Sequence, residues 1–136
     1  MLFLGFALAL SLSTGYRASV AFHIAARNGN VQRVMDIVKA EGTSKLDIDG
    51  AFLRAASNGH VGVMEFLMEN GASDVTGALV CAAMHNQMRT VKYLAHHPNA
   101  PVDRTALKFA AVAAGNNDAI EVEFFLLTKL RHGLEH

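Results

Sequence analysis

Gly50-Ala51-Phe52-Leu53-Arg54-Ala55-Ala56-Ser57-Asn58-Gly59-His60-Val61-Gly62-Val63-Met64-Glu65-Phe66-Leu67-Met68-Glu69-Asn70-Gly71-Ala72 is the stretch whose reading decides the fold. Phe52, Leu53, Ala55 and Ala56 give a short helix one packable side, and the alanines let a neighbouring helix approach closely. Asn58-Gly59 stops that helix, because glycine takes up the left-handed conformation of a helix end at no steric cost. A second helix starts near Val61, with Val61, Met64, Leu67 and Met68 on one face, and Asn70-Gly71 ends it. The product is a helix-turn-helix unit with a short connector.

The unit recurs. Ala-Ala pairs stand at Ala25-Ala26, Ala55-Ala56, Ala82-Ala83 and Ala110-Ala111, at intervals of 30, 27 and 28 residues. The first unit runs from Phe22 through Gly29 and Val31, continues over Val34, Ile37 and Val38, and closes at Gly42. In the third, Asn86 stands where the turn glycine is expected, a residue that tolerates positive φ, and the second helix carries Met88, Val91, Tyr93 and Leu94. The fourth has an extra residue before Gly115, which predicts an irregular inter-helix turn there. Gly42-Thr43-Ser44, Ser73-Asp74 and Pro98-Asn99-Ala100-Pro101 read as connectors. Repetition at this period marks an all-α stack of helix pairs in which each unit buries its apolar face against the next. The expected units are 20–49, 50–76, 77–104 and 105–133.

These residues resemble the ankyrin repeat family over roughly residues 20 to 130. Its core survives as Phe22-His23-Ile24-Ala25-Ala26-Arg27-Asn28-Gly29, and as Ala55-Ala56-Ser57-Asn58-Gly59-His60 with Gly71-Ala72 closing the unit. The Thr-Pro that precedes the core in the family is missing apart from Thr105, and the period is shorter than usual, so short loops are expected in place of full β-hairpin fingers. The resemblance implies an α-solenoid whose concave face and loop tips bind another protein. Carried over by position, the partner-binding residues would be Arg27, Asn28, Ser57, Asn58, Met84, His85, Val112 and Ala113, with Lys45, Asp47, Asp74 and Asp103 at the tips. It implies a structural hydrogen bond for His23. Short arrays of this kind are familiar in intracellular pathogens and large viruses, which makes an effector acting in host cytoplasm an expectation of the same kind.

The ends read differently. Leu2 to Leu12 is an apolar run too short to span a bilayer. One period before Ala25-Ala26, residues 1–19 fit the second helix of a preceding half-unit, with Gly15 closing it as Gly71 closes the second unit. The alternative is a secretory signal peptide with Ser11-Leu12-Ser13 at its cleavage site, although no Lys or Arg precedes the run. Residues 134–136, Leu-Glu-His, read as the remnant of a tag. The helix holding Phe124, Phe125, Leu126, Leu127 and Leu130 is strongly apolar for a terminal unit, so self-association through uncapped ends is the alternative function.

Composition narrows the chemistry. Twelve basic and twelve acidic residues cancel over 136 positions, which removes the field that draws proteins to nucleic acid. The lone Cys81 cannot form an internal disulfide and fits a reducing, cytoplasmic setting; its place beside the third alanine pair reads as an inert core thiol. His96-His97 is the best metal candidate among seven histidines, but adjacent helix residues diverge and no further ligand stands at metal spacing. His60 opens a helix. Asp118, Glu121 and Glu123 suit a helix start, and Arg89, Lys92, Arg104 and Lys108 read as a solvated face. No nucleophile elbow, phosphate loop or carboxylate pair stands at usable spacing. The sequence therefore points to a non-enzymatic protein-interaction module without cofactor, metal or membrane span.

Overall fold

A computed structural model describes residues 2–97 and 102–132, with side chains of the first helix from Gly15 onward. The elements are α1 (Leu2–Asn28), α2 (Val31–Glu41), a single 3-10 turn (Thr43–Lys45), α3 (Ile48–Ser57), α4 (Val61–Glu69), α5 (Val75–Met84), α6 (Met88–His96), α7 (Arg104–Asn116) and α8 (Ile120–His132). Among the described residues there is no β-strand, so the connectors there are loops, as the short period predicted. The connector at Pro98 to Pro101 and the tag remnant at 134–136 lie outside the described residues.

Successive first helices α1, α3, α5 and α7 pack side by side, and successive second helices touch far less. The cause is side-chain size. Ala25, Ala26, Ala55, Ala56, Ala82 and Ala83 are buried between first helices, whereas Val34, Met64, Val91 and Leu126 fill the space under the second helices. Close approach in one layer and splaying in the other bend the stack towards its first-helix side. The core runs through all four units as one cluster, with Phe22, Phe52 and Leu79 closed off from solvent.

Each inter-helix turn is the same Schellman motif. Its long-range amide bond runs from Asn30 to Ala25 O (3.0 Å), from His60 to Ala55 O (2.9 Å), from Gln87 to Ala82 O (2.8 Å) and from Ala119 to Ala114 O (2.9 Å). The left-handed residues are Gly29 (φ 76°), Gly59 (φ 77°), Asn86 (φ 56°) and Asp118 (φ 57°).

The fourth unit is a correction. Its turn is regular and is set by Ala114 and Asp118, four residues beyond the register that Ala110-Ala111 suggested. Gly115 lies inside α7, in the place of Ala26, Ala56 and Ala83, and α7 has 13 residues against 10 in α3 and α5. A shift of four is about one helical turn and leaves the buried face nearly unchanged, so Ala106, Ala110, Ala111 and Ala114 are all buried.

The N-terminal end departs as well. Gly15 does not end a helix: α1 continues from Leu2 through to Asn28, so the apolar run extends the first helix of the first unit and is not a separate half-unit helix. Among the described residues no helix is long and apolar enough to cross a membrane.

Candidate partner-binding surface

The helix starts fix where the polar groups go. Asp47, Asp74 and Asp103 cap α3, α5 and α7, their carboxylates accepting the amides of Gly50 (2.9 Å), Gly77 (2.9 Å) and Ala106 (2.7 Å). The sequence reading assigned these three to partner contact at loop tips. Each caps its own helix, and the signal for that role is its place one residue before the helix start. Asp49 ties two units together, its Oδ1 accepting the amides of Ser73 (2.8 Å) and Asp74 (3.2 Å). Lys45 is exposed at the end of the 3-10 turn.

His23 does not make the hydrogen bond that the resemblance implied. Its Nε2 stands 3.8 Å from Asp47 Oδ2, beyond hydrogen-bond range, and its buried Nδ1 has no partner among the described residues. Asp47 is held by its capping bond to Gly50. Burial, and then the Arg54 cation, lower the His23 pKa, and Asp47 offsets only part of this.

The predicted row at the first-helix ends converges. Arg27 from α1, Ser57 and Asn58 from the end of α3 and His85 after α5 line one groove of about 400 Å³, together with Leu53 and Arg54. Leu53 and Arg54 were missed, although each lies about one helical turn before Ser57 on the same helix. Ser57 donates its hydroxyl to Leu53 O (2.9 Å), Asn58 its amide to Arg54 O (2.8 Å), and Gln87 Nε2 reaches across from the third unit to Ser57 O (3.1 Å). His85 donates from Nδ1 to Cys81 O (2.9 Å), which leaves Nε2 as the nitrogen open to a partner. Met84 and Ile24 are exposed on the same helix layer, and Asn28 is exposed at the end of α1. Cys81 is half-buried beside Ala82 and Ala83, which occupy the core position instead.

Val112 is not part of this row. In the corrected register its counterparts are His23, Leu53 and Val80, not Met84, and it lines a second groove of about 260 Å³ with Lys108, Ala111, Glu123, Leu127 and Leu130 at the outer end of the stack. Ala113 is half-buried on α7. A third groove, of about 790 Å³, lies between second helices and connectors and is acidic, with Glu65, Glu69 and Asp74 beside Tyr93. Burial, then Glu65 and Glu69, raise the Tyr93 pKa and keep its phenol protonated.

His96 belongs to packing. Its Nδ1 meets Lys92 O (2.9 Å) and its Nε2 meets Lys129 Nζ (2.7 Å), while its ring lies against Phe125. Among the described residues no group of three or more His, Cys, Asp or Glu is placed to hold a metal ion.

Four helix pairs closed by one repeated turn motif agree with a family comparison, in which the model described as ankyrin repeats (3 copies) matches residues 52–129. The chain belongs to the ankyrin-repeat family. The first unit precedes the matched residues, yet its turn at Gly29 has the same geometry as the ankyrin repeats that follow. Comparison with curated proteins and with solved structures returns no match. Ankyrin repeats are in general protein–protein interaction modules and typically non-enzymatic.

Proposed function

We propose that this chain is a non-catalytic module that receives a segment of another protein in the groove across its first three units. The observation that carries the reading is the convergence of Arg27, Leu53, Arg54, Ser57, Asn58 and His85, from three separate helix pairs, on one recess. A recess built from several rigid elements offers positioned polar contacts without ordering a loop, which favours recognition. Hydrogen exchange on a complex with any protein ligand tests it. Protection is expected at the C-terminal turns of α1, α3 and α5, and protection confined to the second helices or connectors would refute it.

Self-association through the outer end is a second reading, favoured by one comparison between units. His23, Leu53 and Val80, then Val31, Val61 and Met88, then Val38, Met68 and Ala95 are half-buried, each beneath or beside the following unit. Their counterparts in the last unit are Val112, Ile120 and Leu127, which are 62%, 72% and 50% exposed. That end thus carries apolar side chains at stacking positions. Light scattering across a concentration series is expected to show a dimer that Leu127→Asp abolishes, and a monomer at every concentration would refute this reading.

A further inference from the structure

The neutral total hides a segregation of charge. The first helices carry Arg17, Arg27, Arg54, Arg104 and Lys108 against Asp49 alone. Asp49 is committed elsewhere, since its Oδ1 accepts the amides of Ser73 and Asp74. The recess on this layer is more one-sided still: Arg27, Arg54 and His85 line it, and no Asp or Glu does. Among the described residues no carboxylate lies within salt-bridge distance of either guanidinium. The aspartates that offset these cations, Asp47, Asp74 and Asp103, cap the N-terminal ends of α3, α5 and α7, away from the C-terminal turns that line the recess, and Asp74 shares a separate groove with Glu65 and Glu69 beside Tyr93.

We propose that the first-helix groove selects an acidic protein segment, with carboxylates meeting Arg27 and Arg54 and an apolar side chain resting on Leu53. This deepens the proposed function and rests on it. The guanidinium fork matches a carboxylate in two parallel hydrogen bonds, and both forks lack an internal partner. The neutral polar groups are less available as donors, because Ser57 donates to Leu53 O and Asn58 to Arg54 O. Half-buried Leu53 supplies the apolar floor, so a segment bearing both acidic and apolar residues fits better than a purely acidic one. A nucleic acid would meet the same cations. The recess, however, has no Phe, Tyr or Trp ring on which a base would stack, and the chain has no net positive charge to follow a phosphate backbone.

Selection from a random peptide library displayed on phage, with the whole chain as bait, tests the inference. The enriched peptides are expected to be rich in Asp and Glu and to include Leu, Ile, Phe or Met. Fluorescent synthetic copies should bind about tenfold or more weakly to the Arg27→Glu/Arg54→Glu variant, more weakly in high salt, and should regain affinity for that variant when their acidic residues become lysine. Both arginines are exposed, so the variant should keep the thermal midpoint of the parent chain.

The opposing results separate two failures. Neutral or basic peptides that are lost on Asn58→Trp, a blocking residue at an exposed groove position, would leave the groove standing and overturn the acidic preference. Peptides that ignore both Asn58→Trp and the double charge reversal would overturn the groove itself, and with it the proposed function. A short fluorescent single-stranded oligonucleotide that binds as tightly as the best peptide, with the same dependence on Arg27 and Arg54, would overturn the protein partner. A library that yields no peptide distinguishing the parent from the double variant would also overturn the inference.

Discussion

Replacing Gly59 by alanine should destabilise the chain by about 2 kcal/mol, and two separate effects build that figure. Gly59 has φ +77°, where an L-residue is disfavoured by about 1–2 kcal/mol, while alanine recovers about 0.4–1 kcal/mol by restricting the unfolded chain. The added Cβ would also stand 2.6 Å from Gln87 Oε1. Gln87 must then move, which breaks its 3.1 Å bond to Ser57 O, a loss of about 0.5–1.5 kcal/mol. Urea unfolding followed by far-UV circular dichroism reads the change, and the thermal midpoint should fall by roughly 5–10 °C. In a Gln87→Ala background the same substitution should be about 1 kcal/mol milder, because the collision and the bond are already gone. A neutral Gly59→Ala, or an equal loss in both backgrounds, would refute this account of how the second and third units are tied.

In the fourth unit, Asp118→Gly should stabilise by up to about 1 kcal/mol by relieving a left-handed non-glycine residue, and Gly115→Ala inside α7 should be neutral or stabilising by a similar amount once the Glu123 side chain swings aside. Destabilisation by both, read as a lower urea midpoint, would restore the register that Ala110-Ala111 suggested. Because the folded chain lowers the His23 pKa below its ordinary 6.5, the unfolded chain takes up the proton first, so stability should fall as pH drops through about 6.5 and level off below the folded value. The difference between the parent chain and His23→Gln isolates this term, and a difference that grew in favour of the parent on acidification would show the Asp47 contact to dominate. Asp74→Ala should lose about 1 kcal/mol with its cap while leaving any peptide bound in the first-helix groove unaffected, as a titration on the variant would show.

How far each feature was legible follows from how many residues write it. Gly29, Gly59 and Asn86 announce their turns locally, since a left-handed residue after a short apolar helix has few other uses. Asp118 does the same work without being recognised, because the nearby Gly115 offered a more conventional stop and a four-residue shift keeps the alanines buried. The caps at Asp47, Asp74 and Asp103 were also written locally, but tip residues and cap residues look alike until the first amide of the helix is placed. Four of the six groove residues were readable as a row of helix-end residues, whereas Arg54 and Leu53 entered only when neighbouring helices set the depth of the recess.

The sequence by itself determined the period, the helix pairs, most of their turns and the family, because those signals lie within a few residues of the structures they specify. Only the tertiary structure decided the register of the last unit, the continuity of α1 through Gly15 and the separation of a basic groove from an acidic one. Those depend on which faces of separate helices meet when the units stack. Total charge, a sum along the chain, is blind to that arrangement.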